Sequence, residues 1–285
     1  MALRYTLGAI LLTATLGAGP GVHLLEARRA DPSVKSVVAA TQAYVANLES
    51  QLAYGLFDED YTQEVRTDTD ARQRTMHGEL FLTFLPADQE WIAVHDVAVV
   101  DGEPVPDRES LQGLLQRGPL QSVRHDVIAR NARYNIGSVT RNFNEPTLAL
   151  LVLGPVRAST FDFSIDRIFD DGTGVKLAVL RFREKSDKPA TFIQGPQGQA
   201  TQSKGDFIVE VRTGRIRQTH FALDLSATSV TLTTYFVRDA GTGLWLPTLF
   251  QEHYERLKDG PHEVISCEAK YTNFRRFEVL GRIKH

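Results

Sequence analysis

The second half of the chain is punctuated by the turn sequences DDGTG (170–174), RTGR (212–215), DAGTG (239–243) and KDGPH (258–262). This constrains the fold more than any other feature. The segments between them have strand length: VRASTFDFSIDRI, GVKLAVLRFRE, GDFIVEVRTG, RIRQTHFALDL, ATSVTLTTYFVRD, LWLPTLFQEHYERL and HEVISCEAKYTNFRRFEV. Gly and Asp accept the backbone of a tight hairpin, so strands joined this way pair as antiparallel neighbours. No helix-length crossover separates them, which disfavours a parallel doubly wound sheet.

The first half continues the pattern with YTQEVRT (61–67), QRTMHGELFLTFLP (73–86) and WIAVHDVAVV (91–100). Upstream, residues 33–54 carry Val34, Val37, Val38, Tyr44, Val45, Leu48 and Leu52. Spacings of three and four predict an amphipathic helix, started at Asp31-Pro32 and stopped at Gly55. Its apolar stripe needs a surface to cover. From 107 to about 153 the pattern changes: 109–115 and 120–132 read as helical, a helical insert in the β framework. Residues 193–205, IQGPQGQATQSKG, have the composition of a loop. With no repeat and no boundary signal, 31–285 reads as one domain.

GELFLTFLP is apolar on both faces, with Leu80, Leu82 and Phe84 on one and Phe81 and Leu85 on the other. A sheet wetted on one side alternates more cleanly, so these strands are covered twice. A half-barrel around an apolar cavity and an ordinary two-layer core both satisfy that condition.

MALRYTLGAILLTATLGAGPG has an early Arg4, an apolar run and then small residues. That is the layout of a signal peptide, assigned to 1–30, with Ala18 and Ala30 as cleavage candidates. The expectation is an exported protein. Its only cysteine is Cys267, so no internal disulfide supports the fold and the core must suffice. The chain carries a formal charge of -3. Setting aside Arg4, Arg28, Arg29 and Glu26 turns 32 basic and 35 acidic residues into 29 and 34. Nucleic acid is a poor partner for that surface.

The stretch EWIAVHDVAVVDGEPVPDR (90–108) crowds His95, Asp96, Asp101, Glu103, Asp107 and Arg108 together. Strand parity scatters them, because His95 shares a face with Trp91 and Ala93 while Asp96 points the other way. Asp101-Gly102 is a hairpin turn, and residues 107–110 start the next helix. No GxSxG elbow is present, and Cys267 shares a strand face with Ile265, Ala269 and Tyr271, as a core residue does. His253 with His262-Glu263 lacks a third metal ligand. Arg130, Arg133, Tyr134, Asn135 and Arg141 form the densest polar cluster. It reads either as a buried network pinning the insert to the sheet or as a ligand site, the first being favoured. No catalytic residue, metal or cofactor is assigned.

GDFIVEVRTGRIRQTHFAL, TTYFVRDAGTGLWLPTLFQEHY and EAKYTNFRRFEV resemble strands of the lipoprotein-carrier (LolA-like) superfamily. DVAVVDGEPVPDR and ARYNIGSVTRNFNEPTLALL are similar to runs in a further group of exported bacterial proteins. DVAVVDGEPVPDRESLQGLL also resembles the second half of a PDZ domain, without that domain's Gly-rich carboxylate loop. The LolA-like resemblance implies a mainly β (α+β) fold, an incomplete antiparallel β-barrel wrapped around the long N-terminal helix. It implies a bacterial periplasm or cell envelope and a non-enzymatic carrier or binding protein. The expected partner is an apolar small molecule, lipid, acyl chain or lipidated protein, with Phe81, Trp91, His95, Tyr235, Trp245 and Tyr271 as cavity candidates. The alternatives are an envelope protein–protein interaction module without a cavity, and an exported hydrolase.

Overall fold

The computed structural model describes residues 32–106, 108, 110–118, 124–139, 141, 145–187, 201–225, 227–256 and 258–276. The signal peptide expected at 1–30 and most of the loop expected at 193–205 lie outside the described residues. Only 203–205 of that loop belong to a strand.

Helix α1, Val34–Gln51, begins where the Ser33 side chain accepts a hydrogen bond from Ser36 N at 3.1 Å. It ends at Leu52, earlier than the expected stop, and Tyr54 takes a positive φ of 56° to turn the chain into the sheet. Val37, Thr41, Val45 and Leu48 are its buried stripe. Thr41 donates its hydroxyl to Val37 O at 2.8 Å, so it asks nothing of the sheet. Each fully buried Val or Leu here contributes about 1.5–3 kcal/mol.

The strands are β1 Gly55–Thr67, β2 Ala71–Leu85, β3 Glu90–Val100, β4 Glu103–Pro104, β5 Phe161–Asp170, β6 Lys176–Glu184, β7 Ser203–Glu210, β8 Ile216–Leu225, β9 Thr228–Arg238, β10 Trp245–Arg256 and β11 Glu263–Arg276. They form one antiparallel sheet in the order β4-β3-β2-β1-β11-β10-β9-β8-β7-β6-β5. The chain therefore starts in the middle, meanders out to one edge, restarts at the far edge and meanders back. β11 closes the plan by pairing with β1.

The edges β4 and β5 do not pair, so the barrel is incomplete, as expected. Helix α1 packs against β2 in one half and against β5 and β6 in the other. A flat sheet cannot bring both regions to one helix, so the sheet curls around α1. The β7–β8 turn presses directly on the helix backbone. A Cβ at Gly214, whose φ is 68°, would collide with the Ala40 carbonyl group.

The insert runs from edge to edge because β4 and β5 lie on opposite sides of the sheet. It contains α2 Leu111–Gln116, α3 Arg124–Ala132 and a 3₁₀ helix Leu148–Leu153. Ser110 caps α2 by accepting from Gly113 N at 3.1 Å; Asp107 and Glu109 lie outside the described residues. The Asp101-Gly102 hairpin has φ values of 51° and 85°, with Val100 paired to Glu103. All six residues of the 3₁₀ helix are buried, on the concave side with α1.

The structure corrects two strand starts. β1 begins at Gly55 rather than residue 61, because Phe57 and Glu59 already point inward. β5 begins at Phe161, since residues 158–160 form a 3₁₀ turn. The two apolar faces of β2 also have their reason. Leu80, Leu82 and Phe84 join the concave core. Phe81 joins Leu56, Ile92, Val94, Leu111, Leu114 and Val127 beneath α2 and α3 on the outside.

Candidate functional site

Strand parity puts Phe57, Glu59, Tyr61, Gln63 and Val65 of β1 on the concave side. Register places Glu59 opposite Tyr271, Tyr61 opposite Ala269, and Gln63 opposite Cys267 of β11. On the other flank Glu59 faces Gly78 of β2, which in turn faces Val97 of β3. Gly78 is needed here, as a Cβ would strike the Asp96 carbonyl oxygen. Over this missing side chain His95 Nδ1 lies 2.7 Å from Glu59 Oε2, with both residues buried.

Next to this pair is a second polar group. Glu252 of β10 accepts from Tyr61 Oη at 2.5 Å and from Tyr254 Oη. Arg141, fully buried, donates to Cys267 Sγ at 2.6 Å, to Gln63 Oε1 and to Ile136 O at 2.9 Å. Its guanidinium lies 5.7 Å from the centre of the Tyr254 ring. Burial, then the Glu252 charge, raises the Tyr61 and Tyr254 hydroxyls well above the phenol range. The same two causes push the Cys267 thiol up to about 12, against the lowering effect of Arg141. A thiol that stays protonated is no nucleophile at neutral pH. Burial first, then Glu59 and Glu252, also raises Tyr271.

The predicted cavity residues do not meet in one place. Trp91, His95 and Tyr271 share the concave side, buried to within a few per cent. Trp91 packs edge-on against Phe84 at 5.2 Å. Trp245 sits at the margin of the core, its ring covered by the Arg217 guanidinium at 3.7 Å. Arg217 in turn pairs with Glu210 at 2.6 Å. Phe81 faces the outside, under the insert. Tyr235 lies between inward-facing Thr234 and Phe236 and so also faces outward. The sequence reading missed Glu59, Tyr61, Gln63, Glu252 and Tyr254. The signal for them was present: polar residues at inward parity in β1 and β10.

The polar cluster of the insert divides. Arg141 and Asn135, whose Nδ2 donates to Arg141 O at 2.8 Å, belong to the pinning network. Asn131 pins α3 to β3 through Ala93 O at 2.8 Å and His95 N at 3.0 Å. Asp96, on the opposite face from His95, accepts from Arg130, from Arg108 and from Leu111 N at 3.1 Å. Arg133 and Tyr134 instead line a cleft of about 290 Å³. The three groups His253, His262 and Glu263 do not converge. His253 contacts Ser266, His262 contacts Glu255, and Glu263 accepts from Ser138 N. Among the described residues no three His, Cys, Asp or Glu side chains are placed to hold a metal ion.

No family model matches this sequence, and no curated protein does. Solved structures do. A DUF1329 family protein from Desulfovibrio piger is similar over 87% of this chain and 95% of its own, at 10% identity and a TM-score of 0.40. A putative outer membrane lipoprotein-sorting protein domain from Vibrio parahaemolyticus is similar over 88% and 96%, at 12% identity and a TM-score of 0.37. A LolA superfamily protein from Nitrosomonas europaea is similar over 87% and 94%, at 12% identity and a TM-score of 0.31. Among the described residues no helix is long and apolar enough to cross a membrane.

Proposed function

We propose that this is a non-enzymatic binding protein of the bacterial cell envelope that carries a lipophilic ligand on the concave side of its sheet. The observation that carries the reading is the 3₁₀ helix Leu148–Leu153, six consecutive buried apolar residues lying inside an open barrel. Its backbone makes local bonds such as Gly154 N to Leu151 O at 3.1 Å. Among the described residues its one side-chain tie to a neighbouring element is Gln42 Nε2 to Leu153 O at 3.3 Å; just ahead of the helix Thr234 Oγ1 donates to Pro146 O at 2.7 Å. Runs of 3₁₀ geometry are weakly bonded. The segment is held mainly by apolar contact, which an acyl chain can replace.

The test is native mass spectrometry of the protein purified from an envelope fraction, before and after organic extraction, with binding of the neutral probe N-phenyl-1-naphthylamine. The expected result is an apolar adduct removed by extraction and a probe that the extracted protein takes up. A ligand-free spectrum together with no probe uptake overturns the reading. One observation favours the interaction-module alternative: the concave side is already packed, with Phe182 4.9 Å from Phe207 and 6.1 Å from Phe221. In that case the envelope fraction yields a protein complex and no extractable adduct.

A further inference from the structure

The cleft between β3 and the insert is lined by His95, Val97, Arg108, Leu114, Asp126, Ala129, Arg130, Arg133 and Tyr134. Its charge is lopsided. Among the described residues the guanidiniums of Arg108, Arg130 and Arg133 line it, against the one lining carboxylate of Asp126. Asp126 is taken by Arg117, and buried Asp96 is shared by Arg108 and Arg130. Arg133 is exposed and pairs with no carboxylate among the described residues; its guanidinium lies 5.3 Å from the centre of the Tyr134 ring. Among the described residues Arg108 bonds only Asp96, and it keeps over a third of its side chain exposed.

Two guanidiniums with spare donors thus flank one concavity. Guanidinium forks match carboxylate and phosphate oxygens. The carbonyls at the C-terminal end of α3 do not repel such a guest strongly, since Arg130 O and Ala132 O are taken by Arg133 N and Asn135 N. Val97, Leu114, Ala129 and the Tyr134 ring supply an apolar wall. A volume of about 290 Å³ lies at the lower limit for a small-molecule site.

We infer that this cleft is an anion site for a phosphate on a small, partly apolar body, held by Arg133 and Arg108. The phosphate is either a lipid headgroup or a free phosphate compound. The site lies at the β3 edge beneath the insert, where His95 and Val97 of the concave side meet Leu114 of the outer layer, and its phosphate ligands are Arg133 and Arg108 of the insert, so it does not depend on the carrier reading.

Calorimetric titration of the full chain with inorganic phosphate and with dihexanoyl phosphatidate tests it at low salt. Both are expected to bind, and Arg133→Ala to weaken each by about tenfold. Arg133→Lys should recover part of the loss, and the thermal midpoint should not move, because Arg133 is exposed. Phosphatidate binding tenfold or more tighter than phosphate identifies a lipid source; equal affinities identify a free anion. Absence of binding by both, or affinities unchanged in Arg133→Ala, overturns the inference. Uptake of N-phenyl-1-naphthylamine by Arg133→Ala reports on the concave face separately, so failure of one reading is distinguishable from failure of the other.

Discussion

Half-burial of Glu49 on α1 raises its carboxyl to about 6, with desolvation as the cause. A carboxyl whose folded pKa lies above its unfolded value favours the folded state when protonated. That support is complete below the unfolded value and is lost as pH rises through about 6. Solvent screening of a half-exposed group holds the effect to under about 1 kcal/mol. Glu49→Gln should therefore raise the melting temperature by about 1–3 °C at pH 7.5 and leave it unchanged at pH 4, measured by calorimetry. Strand parity made the separation of His95 from Asp96 legible in the sequence. The partner of His95 was not, because Glu59 reaches it across Gly78 from a strand two places away. No local pattern encodes that step.

At the scale of elements, α1 and the hairpins were legible, since a 3.6-residue stripe and an Asp-Gly turn each declare their geometry locally. The start of β1 was hidden because Glu59 points into the core and breaks the alternation. LALLVL was hidden for a different reason: six apolar residues in a row have no period, so they read equally as strand, helix or 3₁₀. Leu150, almost wholly buried, tests the role of that element. Leu150→Ala should cost about 2–4 kcal/mol, read as a lowered urea midpoint. If the segment yields its place to ligand, the same variant should also bind N-phenyl-1-naphthylamine more tightly than the parent.

At the scale of the whole molecule, β11 is the central joint. It pairs with β1 on one side and β10 on the other, and it contributes Ile265, Cys267, Ala269 and Tyr271 to the core. A chain ending at residue 262 lacks this strand and leaves the two halves of the sheet unjoined. It should show no cooperative melt and should lose most of the far-ultraviolet β signal. The antiparallel strands and the helix were expected from the turns and the amphipathic stripe, and the open barrel from the LolA-like resemblance. The edge-to-edge course of the insert was not, because it follows from where β4 and β5 fall in the strand order.

That order also has a consequence in time. β1 is made early, and one of its two neighbours, β11, is the last of the described strands to be delivered. Contacts so distant in sequence form slowly, since a long loop must close before they are rewarded. Until residue 276 has emerged, β1 has one bare edge and the halves of the sheet have no common seam. The nascent chain is therefore kept from premature closure by its own topology, with one edge of β1 and one edge of β10 bare until β11 arrives.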